Sequence, residues 1–278
     1  MMTLISVELF KMFKKWRTYI GIIAIGVLAL IIQTALYFTG KNMIDFQMRG
    51  MEDSFIMVGN LFNGYFIARM ILTLLFIHIP FLVVLAGGDL LAGEATAGTY
   101  RMILTRPVTR MQVITSKFIA GFIYVVVLVL WMAFVSLGLS LLVFGSGPLL
   151  SAGSGIVIFA QNDVLWRFLG AYAYAVLSMT TVIFISIIFS SLVQNAIGPI
   201  VSTMALIIVF LILSAVPVDF LQNIKPYLFT THLGQWNIFF NEEVDYGEIF
   251  KSAGILFAHC TAIYAATSYI FVKKDILS

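Results

Sequence analysis

The stretch 87–117 reads GGDLLAGEATAGTYRMILTRPVTRMQVITSK, and it decides how the rest of the chain is organised. It lies between two long apolar segments of a protein in which only 10% of residues are charged. Its charged residues are Asp89, Glu94, Arg101, Arg106, Arg110 and Lys117. Because charge is so scarce elsewhere, its concentration here indicates a functional surface.

The composition around this stretch indicates an integral membrane protein. The 278 residues are 61% hydrophobic, and the mean hydropathy is +1.04. Soluble domains are about 45–50% apolar and about 25% charged. The single cysteine, Cys260, lies in an apolar run, which excludes a disulfide framework within the chain. The basic amino terminus precedes an apolar run too long for a signal-peptide core, so we interpret that run as a retained span.

Six apolar runs are each near the length of about 20 residues that a spanning helix needs. They are residues 18–38, 66–86, 118–144, 168–189, 200–216 and 249–272. The predicted fold is therefore all-α, a polytopic membrane protein with six transmembrane helices in a single transmembrane domain, residues 1–278. An even number of spans places both termini on one side of the membrane.

The distribution of bases predicts which side this is. Most of them lie in the terminal segments and in the 87–117 stretch, whereas most acids lie on the opposite side. The bases on the first side are Lys11, Lys14, Lys15, Arg17, Arg101, Arg106, Arg110, Lys117, Lys273 and Lys274. By the positive-inside rule, the termini and the 87–117 stretch are cytoplasmic.

Three further segments carry predictions of their own. Residues 1–17 suit an amphipathic interfacial helix whose long bases reach lipid headgroups, although a plain positive flank fits equally well. Residues 145–167 contain GSGP and SAGSG, which favour turns and a flexible loop. Residues 217–248 are dense in aromatics, which predicts an external, re-entrant segment before the sixth span.

Within the 87–117 stretch, glycines and a proline predict where helices end. Gly87 and Gly88 are expected to close the second span in a left-handed turn. Gly98 breaks the chain again, and Thr99 caps a short helix over residues 100–104. That helix stops before Pro107, because the residue that precedes a proline avoids helical geometry.

The third span is predicted to begin with a capping box, Thr109 with Gln112, so that a helix starts at Arg110 and runs through Lys117. Arg110 in the first turn opposes the helix macrodipole, at a cost of a few tenths of a kcal/mol. Such a conflict marks a partner or a site. Contact of Arg106 and Arg110 with anionic headgroups explains it equally well.

These residues resemble a pattern found between the second and third spans of ABC-2 type ABC transporter permeases. The matching positions are Gly93-Glu94, Gly98-Thr99, Leu104, Pro107, Arg110 and Lys117. The chain departs from the pattern at Ile103, where the family usually has leucine, and at Arg106, where it often has a small or polar residue.

The resemblance implies a permease subunit that couples to a separate cytoplasmic ABC ATPase subunit and contacts membrane lipids but no nucleic acid. The implied coupling residues are Glu94, Gly98, Thr99, Arg101, Arg106, Pro107, Arg110 and Lys117. ATP and magnesium would be bound by the partner, with no cofactor in this chain. The resemblance further implies a permease homodimer or pair in the cell membrane of a bacterium or archaeon. Its substrate would be exported: an amphipathic drug, peptide or lipid-linked molecule, or an ion such as sodium.

Several polar residues inside the spans are candidates for a substrate path. Arg69 lies near the outer edge, where we expect it to reach the interface rather than contact substrate. His78 precedes Ile79-Pro80 and is expected to bond a carbonyl freed by the proline kink. Tyr172 and Tyr174 suit packing or an interfacial belt better than a path. His259 beside Cys260 suits a packed polar pair, since two ligands are too few for zinc.

No sequence motif supports catalysis in this chain. There is no GxxxxGK[ST] phosphate loop, no HExxH and no legible Ser-His-Asp grouping. A non-transporting accessory or assembly protein with a lipid- or partner-binding basic loop is the main alternative. An ion-driven transporter is disfavoured, because no acid lies at the centre of a predicted span.

Overall fold

The computed structural model describes residues 1–48, 62–98, 107–152, 156–218 and 222–273. It is 84% helical, and within these residues six helical stretches are long and apolar enough to cross a membrane. The predicted all-α polytopic fold is confirmed. The cytoplasmic orientation of the termini stays a prediction.

The elements differ from the predicted runs mainly in their ends and interruptions. The helices are α1 (Met2–Lys14), α2 (Trp16–Met48), α3 (Gly64–Phe76), α4 (Ile79–Gly87), α5 (Asp89–Thr96), α6 (Arg110–Ala133), α7 (Leu139–Phe144), α8 (Gln161–Leu192), α9 (Ile197–Ala215), α10 (Phe229–Leu233) and α11 (Tyr246–Lys273). The remaining elements are strands β1 (Leu149–Ala152) and β2 (Ile156–Phe159), a π-helical turn Phe134–Gly138 and 3-10 turns Lys225–Tyr227 and Gly234–Phe240. The π-helical turn joins α6 to α7, so one span runs over Arg110–Phe144.

The predicted second span is broken between α3 and α4. The backbone N–H of His78 bonds the carbonyl of Leu75 at 2.8 Å, one residue short of the α-helical partner. The carbonyl of Leu74 therefore lacks its usual donor, and Nδ1 of His78 lies 2.8 Å from it. Pro80 lies in the first turn of α4, where its missing N–H costs nothing. The expected structural role of His78 is thus confirmed.

The prediction that Gly87 and Gly88 end the second span is wrong. Gly88 has right-handed backbone angles, φ −63° and ψ −23°, and α5 begins at the next residue. A Cβ at Gly87 would lie 2.8 Å from Ile183, and one at Gly88 would lie 2.7 Å from Ile200. The two glycines therefore permit close helix packing, as small residues do in membranes. In this part of the chain the positive backbone angle is found at Gly98, with φ +66°.

The connection expected to be a flexible loop, residues 145–167, contains a β-hairpin. β1 and β2 pair antiparallel, with Leu149 opposite Phe159. Both side chains are buried, whereas Ile158 is exposed. This alternation is what a strand with one packed face produces. The rest of the connection is shorter than predicted, because α8 already begins at Gln161.

α8 is the central helix of the bundle and packs against α4, α5, α6, α9 and α11. The short helices after α9 pack on α8 and α11. They bury Phe229, Leu233, Trp236 and Phe240. The re-entry of residues 217–248 into the membrane stays a prediction.

Candidate coupling site

A ring of four charges, three of them buried, joins three helices at the end of the bundle where α1 lies. Lys117 of α6 is 0% exposed, and its Nζ lies 2.7 Å from Oε2 of Glu8 on α1 and 2.8 Å from Oε2 of Glu94 on α5. Lys11 of α1 lies 2.8 Å from the other oxygen of each carboxylate. Positive and negative groups therefore alternate around a closed ring of Glu8, Lys11, Glu94 and Lys117, which we call the charge ring.

The ring holds the carboxylate of Glu8 ionised. Burial alone would raise the pKa of Glu8, but the charge of Lys117 and hydrogen bonds from Lys11 and Lys117 outweigh it and lower that pKa below 4.5. Burial would likewise lower the pKa of Lys11, yet hydrogen bonds to Glu8 and Glu94 raise it above 10.5. Lys117 also donates to the carbonyl of Leu90 at 2.9 Å. Buried charges matched in this way form a fixed contact between helices.

A second ionic contact fastens the junction of α1 and α2 to α5. Asp89, the first residue of α5, lies 2.6 Å from Nζ of Lys15 and 3.3 Å from Nη1 of Arg17. Together with Lys11, these bases were expected to reach lipid headgroups. Each of the three contacts an acid of α1 or α5, and their contact with headgroups stays a prediction. Lys14 is exposed and lies over the ring of Phe10.

α5 is also fastened to α8, through Ser190. The first N–H groups of a helix lack partners within it. The hydroxyl of Ser190 accepts hydrogen bonds from the N–H groups of Leu91 at 3.1 Å and Ala92 at 2.8 Å, and it donates to the carbonyl of Gly88 at 2.7 Å. Three hydrogen bonds of Ser190 therefore join α5 to the central helix.

The start of α6 has the predicted capping box. The Thr109 hydroxyl accepts from the N–H of Gln112 at 3.2 Å, and the Gln112 side chain accepts from the N–H of Thr109 at 3.0 Å. Nη1 of Arg110 donates to the carbonyl of Val272 at 2.8 Å, in the last turn of α11. The negative end of that helix dipole offsets the unfavourable position of Arg110 in α6.

The structure thus separates the predicted coupling residues into groups. Glu94 and Lys117 meet in the charge ring, Gly98 ends α5, and Pro107 is exposed just before the capping box. Arg110 contacts α11. Thr99, Arg101, Arg106 and the predicted helix over residues 100–104 lie outside the described residues.

Sequence reasoning did not identify Glu8 as part of this site. The signal for it was a lone acid in a basic segment, four residues before Met12 on the same helix face. Glu8 and Met12 are the buried residues of α1. A cavity of about 850 Å³ lies beside them, lined in part by Leu4, Leu85 and Leu90. α1 is therefore held by its charges and by the packing of Met12, with open space along one side.

The residues proposed for a substrate path have contacts within the chain. The Tyr172 hydroxyl lies 2.7 Å from that of Ser136, and the Tyr174 hydroxyl donates to the carbonyl of His232 at 2.8 Å. Both tyrosines are buried, as packing residues would be. A role for Tyr172, Tyr174 or His78 in a path stays untested.

Arg69 contacts the segment after α9. Its guanidinium lies over the rings of Phe240 at 4.1 Å and Trp236 at 4.8 Å, and its Nη1 is shielded from solvent. Its contact with the membrane interface stays a prediction. His259 and Cys260 also have separate partners: His259 Nδ1 lies 2.8 Å from the carbonyl of Ile255, and the sulfur of Cys260 lies 3.3 Å from the hydroxyl of Thr181.

Comparison with known protein families agrees with this arrangement. Residues 2–276 match the family model described as ABC-2 family transporter protein. A search of curated proteins gave no match. Since the family match spans nearly the whole chain, including the charge ring and the six candidate spans, the chain belongs to the ABC-2 family of transporter proteins.

Proposed function

We propose that the chain is the permease subunit of an ABC exporter and that the charge ring transmits movement from a separate ATP-binding subunit. The observation that carries this proposal is the ring itself. It joins α5 and α6, the two helices that flank residues 97–109, to α1. ATP and magnesium are bound by the partner, and two permease subunits share one path.

The contacts support a mechanical sequence. A partner that moves the segment between α5 and α6 displaces both helices together, because Lys117 and Glu94 are buried as a pair. α5 carries the movement to α8 through Ser190, and α6 continues directly into the third span. The ring carries it to α1 and hence to the first span.

The same contacts weigh against the alternative of an accessory protein that binds anionic lipid through its bases. Lys11, Lys15 and Arg17 are each engaged by a carboxylate of the chain. Charges matched internally attract headgroups less, because the net charge of the surface falls. Transmission of movement is the better explanation of why they are paired.

Two matched variants of α1 test the proposal. Lys11→Gln removes the exposed member of the ring and leaves Lys117 to pair both carboxylates, whereas Lys14→Gln removes an exposed base outside the ring. The full complex is purified from native membranes and reconstituted in vesicles. We expect a protein with a phosphate-loop motif to co-purify, and Lys11→Gln to lower ATP hydrolysis about two- to tenfold, in the range of coupling energies of 0.5–2 kcal/mol. Lys14→Gln should match the wild type.

Two results would count against the proposal. One is recovery of the chain in active form without an ATP-binding partner. The other is identical ATP hydrolysis by wild type, Lys11→Gln and Lys14→Gln.

A further inference from the structure

We propose that Arg69 and Trp236 form a binding site for the acidic group, a carboxylate or phosphate, of an amphipathic substrate. The site lies at the end of the bundle opposite the charge ring, between α3 and the 3-10 turn Gly234–Phe240. The inference rests on the proposed permease function and adds the class of substrate.

The guanidinium of Arg69 is enclosed by aromatic rings. Phe240 and Trp236 face it at 4.1 and 4.8 Å. Behind them, Phe76 lies 5.0 Å from Trp236 and Phe168 lies 4.9 Å from Phe240, measured between ring centroids. Arg69 is five residues into α3, about 7.5 Å from its start at 1.5 Å per residue. The guanidinium of Arg69 therefore lies among aromatic side chains, inside the start of α3 and not at its end.

Two hydrogen-bond donors at this place have no acceptor in the part of the chain that the structure describes. Nη1 of Arg69 and Nε1 of Trp236 are both shielded from solvent, and neither has a hydrogen-bond partner among the described residues. Trp236 as a whole is 2% exposed. A buried donor without an acceptor costs about 1–3 kcal/mol, and more when it is charged. Both groups can only donate, so the group that satisfies them is an acceptor, and the cation favours one with negative charge.

Arg167, a second arginine in this part of the chain, has a structural role and can be compared with Arg69. Arg167 of α8 also lies over an aromatic ring, that of Phe159 at 4.0 Å. Its Nη1 donates to the carbonyls of Phe239 at 2.9 Å and Asn241 at 2.7 Å, and its Nε donates to Asp163 at 3.0 Å. Arg167 is thus fully engaged in holding the segment after α9. Arg69 contacts the same segment through ring faces, and its Nη1 has no acceptor among the described residues.

The surroundings define the class of ligand. A guanidinium fork matches the geometry of carboxylate and phosphate oxygens. The aromatic walls accept an apolar body, as they do in most small-molecule sites. A molecule with one acidic group on an apolar chain satisfies both features, and a long-chain fatty acid is the simplest probe with that chemistry.

Binding of tritiated palmitate by scintillation proximity tests the site. The full chain, with any partner that co-purifies, is placed in phosphatidylcholine nanodiscs without ATP, and the signal of empty discs is subtracted. We expect saturable binding that unlabelled palmitate displaces and methyl palmitate does not, since the ester has lost the charge. Arg69→Gln should weaken binding about tenfold or more, equivalent to at least about 1.4 kcal/mol.

Two further variants keep the test independent of folding. Trp236→Phe retains an aromatic ring beside Arg69 and removes the indole N–H, so it should weaken binding by a smaller factor. Lys251→Gln removes a base that is largely exposed at the same end of the bundle, and it should bind as the wild type does.

The inference is overturned if Arg69→Gln folds and binds as Lys251→Gln does, or if methyl palmitate displaces the label. It is also overturned if phosphatidylglycerol in the disc displaces palmitate, because the site then belongs to membrane headgroups. No ATP is used, so failure here leaves the coupling role standing. Conversely, binding that depends on Arg69 without any ATPase partner refutes only the proposed function.

Discussion

Lys117 is the residue on which the charge ring depends. An ammonium that is 0% exposed is stabilised only by its partners, here Glu8, Glu94 and the carbonyl of Leu90. Removing one partner of a buried ion pair costs about 3–5 kcal/mol, because the opposite charge stays buried. We therefore predict that Lys117→Met lowers the thermal unfolding temperature of the purified chain markedly. Lys14→Met, on the exposed side of α1, should leave it unchanged; equal unfolding temperatures would show that the ring contributes no stability.

The docking of α1 should also depend on pH. The pKa of Glu8 is lowered from 4.5 in the folded chain, so its contribution is present above pH 4.5 and is lost as the pH falls through the lower value. The pKa of Lys11 is raised from 10.5, so its contribution is present below pH 10.5 and is lost above it. The protection factors of the α1 amides, which correct for the intrinsic exchange rate at each pH, should fall below about pH 4.5. Glu8→Gln should remove most of that acid step, and an unchanged step would assign it to another group.

The sequence indicated part of this site. Glu94 and Lys117 could be selected because they are charges in an apolar chain. Glu8 could not be paired with them, because the face that α1 turns toward α5 and α6 is set by tertiary packing. The partner of Arg110 is the carbonyl of Val272, far along the chain. Every residue has such a carbonyl, so the sequence does not indicate which one Arg110 contacts.

Among the helices, α4 and α8 are joined at Gly87. A Cβ there would lie 2.8 Å from Cγ1 of Ile183 and 2.9 Å from Cβ of Ser186. Overpacking of this kind costs about 1–3 kcal/mol. We predict that Gly87→Ala lowers the unfolding temperature and that Gly254→Ala, where a Cβ meets nothing within 4 Å, does not. The reverse order would show that the two helices can separate without cost.

Some elements were predicted correctly and others were not, because a local sequence pattern does not specify which element packs opposite. The number of long apolar spans and the capping box at Thr109 follow from local composition and were predicted correctly. The roles of Gly87 and Gly88 depend on which helix lies opposite, and so does the pairing of Leu149 with Phe159 in the hairpin. A pattern of residues along the chain cannot specify these partners.

The molecule as a whole has two polar ends connected by α8. Ser190 holds α5 at one end, and Arg167 holds the segment after α9 at the other. Arg167 and Ser190 are 23 positions apart, which corresponds to about 35 Å at 1.5 Å per residue. One rigid helix therefore joins the charge ring to the aromatic region around Arg69, so movement at one end has a direct route to the other.

The central claim is that the end carrying the charge ring receives an ATP-binding subunit, and site-directed cross-linking tests it most directly. Met111, at the start of α6, and Tyr246, at the start of α11, are exposed at opposite ends of the bundle. In a Cys260→Ser background, each is replaced singly as Met111→Cys or Tyr246→Cys and treated with a bis-maleimide in native membranes. We predict a cross-link from Met111→Cys to a protein with a phosphate-loop motif and none from Tyr246→Cys. A cross-link to such a protein from Tyr246→Cys alone would contradict the account.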